Sequence, residues 1–154
     1  MTCPLFISGP FRGPSHWHIQ QNVRAAETIA LAAWRSELFS WVYCPHTLTA
    51  HYQDAAPDRV WLEGHLAGLR DVAKLGGILV VTPSGWLTST GTQAELREAK
   101  RLGMPMFEAI EVDDDPEWLK KAMMLSIAGT GSLAGEIYVG SRTLGEWLEK
   151  RNGR

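Results

Sequence analysis

Four short apolar runs, held apart by long stretches of helical periodicity, constrain this chain more than any other feature. They are "PLFIS" (Pro4–Ser8), "SWVYC" (Ser40–Cys44), "GILVVT" (Gly77–Thr82) and "PMFEAI" (Pro105–Ile110). Each is short and rich in branched or aromatic residues, which suits a strand. Their hydrophobicity is nearly continuous rather than alternating, as expected of parallel strands covered on both faces. Between them, Val23, Ala26, Ile29, Ala30, Ala33 and Trp34 recur at three- and four-residue spacing, as do Leu62, Leu66, Leu69, Val72 and Leu75. That period is helical. "TQAELREAKRL" reads as a third helix, with Lys100 and Arg101 in its last turn and Gly103 as its C′ residue. Strand–helix alternation of this kind predicts an α/β layered fold with right-handed crossovers. The 154 residues suit one domain over residues 1–154, with about two-thirds of the unfolded surface buried.

The last third reads differently. "PEWLKKAMMLSIAG" (Pro116–Gly129) predicts an amphipathic helix with Pro at N1. "TGSLAGEIYVG" predicts a glycine-rich loop and a short strand, and "SRTLGEWLEKR" a final helix capped by Ser141. "DDDP" (Asp113–Pro116) predicts a solvated turn.

A net charge of −2 gives no electrostatic case for a nucleic-acid polymer or a membrane surface. No stretch reaches the roughly 18 apolar residues of a membrane span, and "MTCPLFISGP" does not read as a signal peptide. Two cysteines, Cys3 and Cys44, make no disulfide framework, so a cytoplasmic setting is expected. The seven tryptophans supply core and interface area.

In an open parallel sheet, ligands sit beyond the carboxyl ends of the strands. Two Gly/Ser/Thr-rich loops lead from strands into helices there: "SGPFRG" (Ser8–Gly13) and "PSGWLTSTGTQAE" (Pro83–Glu95). Helix N-termini favour anions, and Arg12 adds a two-point cation. Glu95 has two readings. It can stabilise a helix start, with Thr92 and Glu95 as a capping box. It can equally act on a ligand held by the turn. Asp71, between Arg70 and Lys74, fits a solvated face. His46 and His51 have no cysteine or acidic partner at metal-ligand spacing, so no metal is expected.

As a set, "LFISGPFRG", "PHT", "RDVAKLGGILVVTP" and "SGWLTSTGTQAELREAKRLGMPMF" resemble the nucleoside 2-deoxyribosyltransferase-like superfamily, nearest to a small branch of bacterial and phage proteins. The resemblance covers about residues 4–108. It implies a flavodoxin- or Rossmann-like three-layer sandwich around a mostly parallel sheet of about five strands. It also implies a homodimer or higher homo-oligomer and no cofactor. The implied chemistry is cleavage or transfer of the N-glycosidic bond of a nucleoside or nucleoside 5′-monophosphate. By that resemblance Glu95 is the nucleophile and Asp71 a supporting carboxylate. Gly9, Arg12, Ser89 and Gly91 hold the 5′-phosphate, with Ser8, Pro10, Phe11, His46, Trp86 and Thr92 completing the binding set. The chain departs from the family at Phe6, where a tyrosine is frequent, and at Gly76-Gly77, where an aspartate is usual. Those departures favour a non-catalytic nucleotide-binding module on the same fold as the alternative, and the tryptophans leave an interaction protein as a third reading.

Overall fold

The structure, a computed structural model, describes residues 2–52, 54–83, 85–110, 113, 115–128 and 137–153. Its strands are β1 Cys3–Ser8, β2 Phe39–Tyr43, β3 Ile78–Val81, β4 Met106–Glu108, β5 Met123–Ile127 and β6 Ile137–Thr143. Its α-helices are α1 His16–Arg35, α2 Pro45–Thr49, α3 Asp58–Lys74, α4 Thr90–Arg101 and α5 Leu144–Asn152. Short 3-10 turns occupy Trp86–Thr88 and Pro116–Lys121. The fold is mixed α/β around one six-stranded sheet in the order β2-β1-β3-β4-β5-β6. β2, β1, β3 and β4 run parallel, while β5 and β6 join antiparallel.

The four apolar runs become β1 to β4, each within two residues of its expected ends. Side chains alternate across a strand, and β1 uses both faces. Cys3, Leu5 and Ile7 join a core cluster with Ala26 and Ile29 of α1 and Leu144 and Leu148 of α5. Phe6 joins Leu69 and Val72 of α3 and Leu96 and Ala99 of α4 in a second cluster. Both faces of β1 are therefore dry, which is why its hydrophobicity does not alternate.

Three expectations for the last third are corrected. Pro116–Gly129 is not one helix: a 3-10 turn ends at Lys121 and β5 begins at Met123. Met124 and Leu125 pair with Phe107 and Met106 of β4, and that ladder outweighs the helical preference of Met and Ala. The cap of α5 is Thr143, not Ser141, because β6 runs on through Thr143 and the helix starts only at Leu144. Thr143 and Glu146 form a complete capping box there. The sheet formed by the described residues has six strands where about five were expected, the unforeseen one being β5. Residues 129–136, which take in most of the expected glycine-rich loop, and Asp114 of "DDDP" lie outside the described residues.

At the end of α3, Gly76 takes a φ of +69° and donates its amide to Ala73 O, while Gly77 donates to Val72 O. This is a Schellman stop. Gly103 ends α4 the same way, at φ +66°, with Met104 N bonded to Ala99 O.

Candidate active site

The strand order reverses direction at β1, which has β2 on one side and β3 on the other. Ser8 pairs with Val81, so the loops leaving β1 and β3 emerge side by side. Such a switch point is where an open α/β sheet leaves a crevice. A cavity of about 640 Å³ opens there, within the usual range for a small-molecule site. Gly9, Pro10, Phe11 and Arg12 form one wall, and Ser89, Thr90, Gly91 and Thr92 at the start of α4 form another. His46 comes from α2, and Asp58, Arg59, Trp61 and His65 from α3.

Glu95 closes the floor. It is only 5% exposed. The helix-start reading is overturned, because Ser89 is the N-cap of α4 and takes the Thr92 amide. Glu95 lies a turn further in, and Thr92 caps nothing. Its carboxyl is held from across the site instead. Ser8 sits on the same face of β1 as Phe6, two residues on, and its hydroxyl donates a short hydrogen bond to Glu95 Oε2. Burial raises the Glu95 pKa from 4.5 to about 8, and the Ser8 bond pulls it part of the way back down. At neutral pH the carboxyl therefore carries a proton. Ser8→Ala is expected to raise that pKa further and to lower any Glu95-dependent turnover by about 10- to 100-fold. The pH profile of turnover would register both effects.

His46 is a loop anchor. It is buried, with Nε2 at 3.1 Å from both Gly9 O and Pro10 O. Carbonyls only accept, so Nε2 carries the ring proton and donates. Burial lowers the His46 pKa, which keeps the ring neutral. Nδ1 is buried with no partner among the described residues. Phe11 packs at a tilt against this ring, with centroids 6.0 Å apart.

Of the residues singled out in the sequence, Gly9, Pro10, Phe11, Arg12, His46, Ser89, Gly91, Thr92 and Glu95 line the cavity, and Ser8 supports it from behind. Two do not join them. Asp71 faces solvent and pairs with Lys74 Nζ at 2.9 Å. Trp86 is buried in the core and donates Nε1–H to Glu108 Oε1 at 3.0 Å. Arg12 is at the rim, with Nη2 at 2.7 Å from Asp58 and Nη1 at 3.4 Å from Asp54, so a bound anion competes with two carboxylates for it. At Phe6 the ring stacks on Tyr43, centroids 5.3 Å apart. Burial, then the charges of Glu95 and Asp71, raise the Tyr43 pKa, so this phenol lies within electrostatic reach of Glu95. Tyr52 is exposed.

The residue that sequence reasoning missed is His65. Its Nδ1 is 3.9 Å from Glu95 Oε1. Burial, then the charge of His46, lower its pKa to about 4. A lone histidine inside the periodic pattern of α3 carries no local signal. Only the approach of α3 to α4 makes it a neighbour of Glu95. Among the described residues, no three His, Cys, Asp or Glu side chains converge as a metal site. No described helix is long and apolar enough to cross a membrane. No family model, curated protein or solved structure matches the chain.

Proposed function

We propose that the chain cleaves or transfers the N-glycosidic bond of a nucleoside or nucleoside 5′-monophosphate, on a flavodoxin-like three-layer fold. The observation that carries this reading is a carboxyl group at the floor of a ligand-sized cavity, with one oxygen held by Ser8 and the other turned toward His65. The motif resemblance through residues 4–108 supports it. So does the start of α4, which lines the cavity with Ser89 and Gly91, since a helix N-terminus suits a phosphate.

In the proposed reaction Glu95 first gives up its proton. A carboxylate lone pair then forms a bond to the anomeric carbon. The carbon–nitrogen bond breaks, its electron pair leaves with the base, and the base takes up a proton. Water or a second base then attacks the glycosyl ester and frees Glu95. Asp71 is not placed to protonate the base in this conformation, so it carries no catalytic role in the proposal. Because attack needs the ionised carboxyl, base release is expected to rise with pH through about 8.

The alternative, a nucleotide-binding module without turnover, is favoured by that same protonated carboxyl, which donates a hydrogen bond well and attacks poorly. One experiment separates the two: chromatographic detection of free base after incubation with nucleosides and 5′-monophosphates, acceptor bases supplied. Base released by the wild-type protein and not by Glu95→Gln supports the enzyme. Ligand-dependent thermal shifts without base release support the binding module. A nucleotide at a hundred times its Kd adds roughly 2.7 kcal/mol.

A further inference from the structure

His65 and Glu95 present two polar atoms to the cavity that do not bond to each other. Nδ1 of His65 and Oε1 of Glu95 are 3.9 Å apart, beyond hydrogen-bond length. Ser8 occupies the other carboxyl oxygen. On the far side of the imidazole, Nε2 is buried and has no partner among the described residues. With no acceptor at Nε2, the single ring proton is best placed on Nδ1, facing Glu95.

Two atoms at that separation can both reach one oxygen lying about 2.8–3.0 Å from each. Once Glu95 is ionised, as attack requires, a hydroxyl fits such a gap chemically, since it accepts from an imidazole N–H and donates to a carboxylate oxygen. A methylene can do neither, and an ether oxygen only accepts. We propose that His65 and Glu95 together bind a sugar hydroxyl, so that the pocket takes ribonucleosides and ribonucleotides in preference to their 2′-deoxy counterparts. This rests on the glycosidic reading above. A carboxylate displacing the base in line approaches the ring face opposite that base. In a β-ribonucleoside the 2′-hydroxyl lies on that face, on the carbon next to the anomeric centre. His65 is thus a specificity-determining residue.

The test compares a ribonucleoside 5′-monophosphate with its 2′-deoxy analogue, by calorimetric titration and by base release, for each of the common bases. The wild-type protein is expected to favour the ribonucleotide by about tenfold or more, because a site built around a hydroxyl rejects an analogue lacking it. His65→Phe is expected to bring the two within about twofold, chiefly by weakening the ribonucleotide. His65→Ala, measured beside it in case the larger ring fails to pack, is expected to lose the preference in the same way. Equal binding of both nucleotides by the wild type, or a preference that survives in either folded variant, overturns the inference and leaves the glycosidic reading standing. No binding and no base release from any nucleotide overturns both.

Discussion

Glu95→Gln is expected to remove at least about 99.9% of base release, as loss of a covalent nucleophile does, and to make the protein more stable above neutral pH. The second effect follows from burial. In the folded protein the Glu95 pKa is raised from 4.5 to about 8, so folding favours the protonated form. That contribution is fully present below pH 4.5 and is lost as pH rises through 8. Complete loss is worth on the order of 5 kcal/mol. Glutamine resembles the neutral acid and does not ionise, so the variant should keep its stability where the wild type loses it. The two histidines act in the opposite sense. Their folded pKa values are lowered from 6.5, so their contribution is present above that value and is lost as pH falls toward the value of about 4 for His65. Below pH 6.5 the gain from two histidines outweighs the loss from one carboxyl, and above it only the carboxyl loss continues, so stability of the wild type should peak near pH 6.5. Chemical denaturation across pH 4–9 checks this. An unchanged alkaline limb in Glu95→Gln would show that the carboxyl is not held neutral. Unchanged base release would remove Glu95 from the mechanism.

Gly77→Asp, which would introduce an acid before β3 as in the resembled family, is expected to destabilise the fold by about 3 kcal/mol or more. A Cβ at Gly77 would stand 2.7 Å from Val72 O and 2.8 Å from Pro4 O. Both are backbone atoms, one in the Schellman stop of α3 and the other in β1, so neither can swing aside as a side chain does. The new carboxylate would also enter where β3 starts, against a fully buried Ile78. Gly64→Ala is the matching control. It lies in the exposed middle of α3, where an added Cβ meets nothing within 4 Å. It should gain roughly 0.5–1 kcal/mol from helix propensity. Denaturation midpoints compared across the pair would decide the point. A Gly77→Asp variant as stable as the wild type would mean that the glycine is a free choice and not a demand of the fold. The difference from the resembled family at this position has a packing cause in the backbone oxygens that a Cβ would meet.

Phe6 has a different resolution. The sequence shows only that a hydroxyl is missing at this position. The structure shows Ser8 delivering one to Glu95 from the same face of β1, two residues further on. That relation is implicit in the two-residue repeat of a strand. It becomes visible only when α4 is known to lie against that face.

The sequence by itself determined the first four strands, the three long helices, the glycine stop at Gly103 and the two loops that form the cavity walls. Each rests on a local cause: hydrophobic period, turn chemistry, or the positive φ that glycine tolerates. It also brought forward Glu95 and Ser8. Tertiary structure decided the rest. It made β5 out of residues with helical spacing, because an antiparallel partner at β4 was waiting for them. It left Asp71 in solvent and put Trp86 in the core. It paired Arg12 with two aspartates more than 40 residues away. It brought His65 to Glu95, although they lie on different helices, and buried the carboxyl until it holds its proton at neutral pH. None of these is legible locally, because burial and electrostatic shift depend on what the rest of the chain places around a group.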